Sequence, residues 1–129
     1  MPIVFIAGPY MGQNATHDHR SYEAIAKNIA HAKAIAARLA QAGVQFFCPH
    51  SHSAHFELIA PDVPAQYWYD LDMEFLLLSS AILLLEGWEE SDGAVKEAMK
   101  ADVSGLPVYF ECPGADEPDI DELIRDFAQ

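Results

Sequence analysis

Basic residues are scarce: seven lysines and arginines stand against twenty aspartates and glutamates, a formal charge of −13. That balance repels a polyanion and argues against nonspecific binding to a nucleic-acid polymer. It leaves room for one small phosphate, which backbone N–H groups at a helix start can bind locally. Cysteine is nearly absent. Cys48 and Cys112 form no recognisable motif, so a reduced cytoplasmic chain is the expectation. Long apolar runs are missing too. The longest, Phe75 to Leu85, is broken by Ser79 and Ser80 and falls short of the roughly 20 residues that span a bilayer. Met1 to Gly8 lacks a basic flank and the length of a secretory core, so neither a signal peptide nor a membrane is expected. No G-x-G-x-x-G and no G-x-x-x-x-G-K-[ST] occurs. The dinucleotide fingerprint and the Walker loop are thereby unavailable, and no cofactor is expected.

What is present is an apolar content of 51% over 129 residues, enough for one globular domain covering residues 1–129. PIVFIAG, VQFFCP, AILLLE and LPVYFE read as strands, because they are apolar without alternation. Between them, Tyr22 to Gln41 repeats Ile25, Ile29, Ala32, Ile35, Ala36 and Leu39 at helical spacing, with Gly43 as a stop. YWYDLDMEFLLLSS and SDGAVKEAMKADVSG read as helices, as does PDIDELIRDFAQ with Ile120, Leu123, Ile124 and Phe127 on one face. QNATHDHRS and HSHSAHFELIAPDVPAQ read as loops, the second with room for a short helical turn. Continuous apolar strands separated by helices predict an α/β fold, a parallel sheet of four to five strands with helices on both faces. Ligands of such sheets lie beyond the carboxyl ends of the strands. Three segments meet there: GPY, CPHSH and GWEESDG.

Each of these segments has a plain structural reading beside a chemical one. Gly8 in Gly8-Pro9-Tyr10 suits a strand-ending turn or a close approach to a ligand. Ser91 stands where a helix N-cap belongs, with Asp92 and Gly93 in the first turn. Glu97 follows near enough to project into the same crevice, or is a solvated face residue. His50, His52 and His55 have the look of ligands but not zinc spacing, and His17 and His19 add no geometry, so no metal is expected. Asp70 and Asp72 are two apart on a helix, so at most one faces the site. Two carboxylates from different segments around one ligand suit acid and nucleophile roles at a glycosidic bond.

The order IAGPY, Asp72-x-x-x-Leu76, an apolar strand, then Ser91-x-Gly93-x-x-x-Glu97 resembles the nucleoside 2-deoxyribosyltransferase superfamily. GW-x-x-S-x-G-x-x-x-E is similar to its small bacterial and phage branch. The resemblance runs from Ile3 to about Phe110, and only the short motifs are specific. It implies a flavodoxin-like (Rossmann-like) fold, assembly as a homodimer or larger homo-oligomer, and a nucleoside or nucleotide as the small-molecule partner. It further implies Glu97 as the nucleophile at the anomeric carbon, Tyr10 as the aromatic that steadies it, and Asp72 as the acid near the leaving base. Ser91 replaces the aspartate that holds the sugar 5-hydroxyl in the transferases. It matches the serine that contacts phosphate in 2-deoxynucleoside 5-monophosphate N-glycosidases. Arg20, in the loop after the first strand, is a further phosphate donor or simply a solvated charge. Trp88 closes the pocket or packs as core, and His50 lies on the loop that would enclose the ligand. Ser80 departs from the superfamily, which usually has Asp at the head of that strand.

Three functions fit these residues. The first is hydrolysis of the base–sugar bond of a nucleoside 5-monophosphate or related nucleotide. The second is deoxyribosyl transfer between bases, and the third is nucleotide binding without turnover.

Overall fold

The computed structural model describes residues 2–10 and 19–128, with side chains from 23 onward in the second stretch. Four strands form one parallel sheet: β1 (Ile3–Ala7), β2 (Gln45–Phe47), β3 (Ala81–Leu84) and β4 (Val108–Phe110), in the order β2-β1-β3-β4. Register is set around β1, where Phe5 pairs with Phe47 on one side and with Ile82 on the other. Val4 to Ala7 and Ala81 to Leu85 are all buried. Such continuous burial needs cover on both faces.

The cover comes from helices whose apolar stripes match the alternation of the strands. On one face, Val4, Ile6, Ala81 and Leu83 pack with Ala32, Ala36 and Leu39 of α1 (His19–Gln41) and with Ile120 and Leu123 of α6 (Ile120–Phe127). On the other, Phe5, Ala7, Ile82 and Leu84 pack with Leu76 of α4 (Ala65–Leu77) and Ala101 of α5 (Asp92–Val103). The expected architecture is borne out, with four strands. No described helix is long and apolar enough to cross a membrane.

Several boundaries differ from the sequence reading. Helix α1 starts at His19, inside the segment expected to be loop, because a polar first turn needs no apolar periodicity. His17 lies outside the described residues. The loop after β2 contains two single-turn helices, α2 (Pro49–His52) and α3 (Phe56–Ile59). After β3 the chain makes a 3-10 turn over Trp88–Glu90, entered through Gly87 at φ 85°.

The strand order places the site. β2 and β3 flank β1, so connections leave the central strand's neighbours toward opposite faces and open a crevice at its carboxyl end. Gly8 sits at that point. A Cβ there would come within 2.8 Å of the Leu85 Cβ, so the tight approach of β1 to β3 requires glycine.

Candidate active site

A cavity of about 590 Å³ opens at this edge of the sheet, within the size range of small-molecule sites. One wall belongs to α4 and α5, which pack side by side. Ser91 caps α5: its backbone is extended and its Oγ accepts the Ala94 N–H at 3.3 Å. Gly93 and Glu97 are four apart and therefore share a helix face. A Cβ on Gly93 would meet only the Ser91 Oγ, at 4.0 Å, so nothing in the fold demands glycine. Its missing side chain leaves the face before Glu97 uncovered. On α4, Ala65, Trp68, Tyr69 and Asp72 form the stripe that lines the cavity. Asp70 points away, exposed, and accepts from Gln66 Nε2 at 2.7 Å.

Glu97 and Asp72 thus face one space from two helices. Glu97 is only 7% exposed. Burial, and after it the charge of Asp72, pushes its carboxyl up to about 8. Burial likewise raises Asp72 to about 7. Removing a carboxylate from water favours its neutral form, and two carboxylates close together cannot both ionise freely. Tyr69 is raised as well, by burial and then by Glu97 and Asp70. Lys96 also lines the cavity, with Nζ 5.3 Å from the Tyr69 ring centroid.

The opposite wall comes from the end of β1, α2 and α3. Tyr10 O–H donates to Glu57 Oε2 at 2.8 Å and accepts the His55 N–H at 2.9 Å. Its pKa is pushed up to about 12, first by burial. The expected partnership of Tyr10 with Glu97 is corrected here: a phenol has one hydrogen, and Glu57 receives it. His50 is buried, and its Nε2 donates to the Pro9 carbonyl at 2.7 Å. Burial holds its pKa below the ordinary histidine value.

The three loop histidines diverge. His52 packs on Phe47 and Phe75 at 5.4 and 5.7 Å between centroids, and exposed His55 caps α3 with φ 65°. Among the described residues no group of three His, Cys, Asp or Glu side chains could hold a metal.

Of the residues singled out from sequence, Gly8, Tyr10, His50, Asp72, Ser91, Gly93 and Glu97 line the cavity together. Pro9, Trp88 and Asp92 are not part of its lining. Pro9 acts through its carbonyl, Asp92 is exposed, and Trp88 packs on Phe110 at 6.3 Å in the core beneath. Packing, not pocket closure, is the role of Trp88. Arg20 falls in the first turn of α1 and its side chain lies outside the described residues. Lys96, Tyr69, Trp68 and Glu57 were missed. The run Trp68-Tyr69 at one helical turn before Asp72 was a usable signal for two of them.

A family model described as "Domain of unknown function (DUF1937)" matches residues 2–111. The chain belongs to this family. No curated protein matches the DUF1937 chain. Among solved structures it is similar to a 2-deoxyribosyltransferase from the psychrotolerant bacterium Bacillus psychrosaccharolyticus. The TM-score is 0.53 and the identity 15%, covering 98% of this chain and 82% of that one. At that identity the likeness is one of fold, and the nucleoside 2-deoxyribosyltransferase-like fold expected from the motifs is the one found.

Proposed function

We propose that the chain is an N-glycosidase cleaving the base–sugar bond of a deoxynucleoside 5-monophosphate or a related nucleotide. The observation that carries this reading is the convergence of Glu97, Asp72 and Ser91 on one cavity at the carboxyl edge of the sheet. In the proposed reaction the Glu97 carboxylate attacks the anomeric carbon as the bond to the base breaks. Asp72 gives its proton to the departing base. Water, deprotonated by the Asp72 carboxylate, then attacks the same carbon and releases Glu97.

The cycle needs one proton on the pair. With Asp72 near 7 and Glu97 near 8, the pair holds a single proton between those values. Attack requires that proton on Asp72. A sugar hydroxyl donating to Glu97 favours this arrangement, since a hydrogen bond to the charged form favours that form. The Ser91 hydroxyl and the first backbone N–H groups of α5 suit a phosphate, which a carboxylate at position 91 would repel.

The test is base release from a panel of nucleosides and nucleoside monophosphates by the purified chain. Glu97→Ala is expected to lower release about 1000-fold or more. The wild-type rate should peak near pH 7–8, falling on the acid side as the nucleophile is protonated and on the alkaline side as the acid is lost. Undiminished release by Glu97→Ala sinks the assignment. The similarity in fold to a 2-deoxyribosyltransferase supports a second reading, transfer to another base. A free second base in the assay decides it: exchanged nucleoside supports transfer, and hydrolysis alone rejects it.

A further inference from the structure

We propose that the wall formed by His50, Tyr10 and Glu57 selects a nucleobase bearing an exocyclic amino group over its oxo counterpart. The inference rests on the reading above, in which a nucleobase occupies the cavity.

Its basis is the direction of the hydrogen bonds. His50 is 4% exposed and lines the cavity. Its Nε2 faces the Pro9 carbonyl at 2.7 Å, and a carbonyl only accepts, so Nε2 carries the hydrogen. In the neutral ring Nδ1 is then an acceptor. Burial favours that neutral ring. This Nδ1 is buried and has no hydrogen-bond partner among the described residues. Glu57 presents the same situation. Its Oε2 takes the Tyr10 hydrogen, while its buried Oε1 has no partner among the described residues. Tyr10 cannot supply the missing hydrogen, because its only one is committed. Two side chains of one wall therefore carry unused acceptors and no unused donor.

Buried acceptors without partners are costly, and a ligand that brings hydrogens removes the cost. An exocyclic amino group brings two N–H donors. An oxo base offers a ring N–H but flanks it with a carbonyl oxygen, which meets the same lone pairs. Rejection of a group that leaves buried polar atoms unpaired is the strongest form of small-molecule discrimination. Glu57 and His50 are thus specificity residues, distinct from the carboxyl pair that performs the cleavage.

Calorimetric binding of free bases to the intact chain tests this without any turnover. Adenine is compared with hypoxanthine, and cytosine with uracil. The amino member of each pair should bind about tenfold tighter or more, the factor set by one net hydrogen bond. Glu57→Gln places an N–H₂ donor in the wall and should bring each ratio to within about threefold. Equal affinities in the wild-type chain, tighter binding of the oxo member, or no binding of any base would overturn the inference. Should Glu57→Gln fail to fold, the wild-type ratios decide alone. Base release reports separately on the cleavage reading. Release without amino preference overturns only the selectivity, and amino preference without release overturns only the cleavage.

Discussion

The two walls of the cavity treat their polar groups in opposite ways. On the α4–α5 side, nothing among the described residues donates a hydrogen bond to Asp72 or Glu97, and burial alone leads the shift of both. On the β1–α2–α3 side, Tyr10, Glu57, the His55 N–H, His50 and the Pro9 carbonyl are bound to one another. The first wall stores an electrostatic cost on its ionisable groups, whereas the second is fixed in place by its own contacts and, among the described residues, leaves the His50 Nδ1 and Glu57 Oε1 acceptors unpaired. Groups kept under strain of this kind are suited to chemistry, and groups held rigidly are suited to recognition. The difference has measurable consequences.

The largest concerns stability against pH. Glu97 ionises near 4.5 when unfolded and near 8 in the native chain. Between those values the native state holds a proton that the unfolded state has lost, so stability falls as pH rises. It is flat below the unfolded value and flat again above the native one. Glu97→Gln removes the titration. The variant should match the wild-type chain at pH 4 and exceed it at pH 9 by up to about 5 kcal/mol. Urea unfolding at both pH values measures this. A constant difference across the range would show that Glu97 carries no stored cost.

That strained wall was the legible one. Ser91, Gly93 and Glu97 sit within one helix start, where spacing alone fixes which side chains share a face. For Asp70 and Asp72 spacing said only that at most one faces the site, and the superfamily resemblance singled out Asp72. The rigid wall was not legible, because its bonds join positions far apart. Tyr10 and Glu57 are 47 residues apart, and no local pattern links them. The fold lay between these cases: continuous apolar strands announced a parallel sheet, whereas the single-turn helices α2 and α3 depend on tertiary contacts such as Phe56 against Trp68 at 5.1 Å. Trp88 shows the same limit. Its place after a strand was compatible with pocket or core, and only packing on Phe110 decides for core.

A second consequence sharpens the role of the α5 cap. Ser91→Asp preserves capping, since aspartate accepts the same N–H equally well, but adds a negative charge at the cavity. If phosphate lies there, a nucleoside monophosphate should lose roughly 2–4 kcal/mol of binding, about 30- to 1000-fold. The matching nucleoside should lose far less. Binding of both ligands to both proteins gives the answer, and equal losses would remove phosphate from the proposed substrate.

The smallest effect separates the two glycines of the site, one set by the fold and one by the cavity. Gly8 lies under Leu85, where an added Cβ would stand 2.8 Å from another Cβ. Because that atom is anchored directly to the backbone at the end of β3, one residue past Leu84, rotating a side chain does not relieve the clash. The strands must separate, so Gly8→Ala should cost about 1–3 kcal/mol of stability. Gly93 has open space in front of it, with only Ser91 Oγ at 4.0 Å, and no positive φ. Gly93→Ala should therefore leave stability unchanged or raise it by about 0.4–1 kcal/mol, through lower freedom of the unfolded chain. The new methyl would nonetheless project over the face that leads to Glu97, and ligand affinity should fall while stability does not. Thermal unfolding and nucleotide binding, measured on both variants, distinguish the two. If Gly93→Ala bound nucleotide as well as the wild-type chain, no ligand would approach α5 at its first turn, and the substrate would have to reach Glu97 from the α4 side.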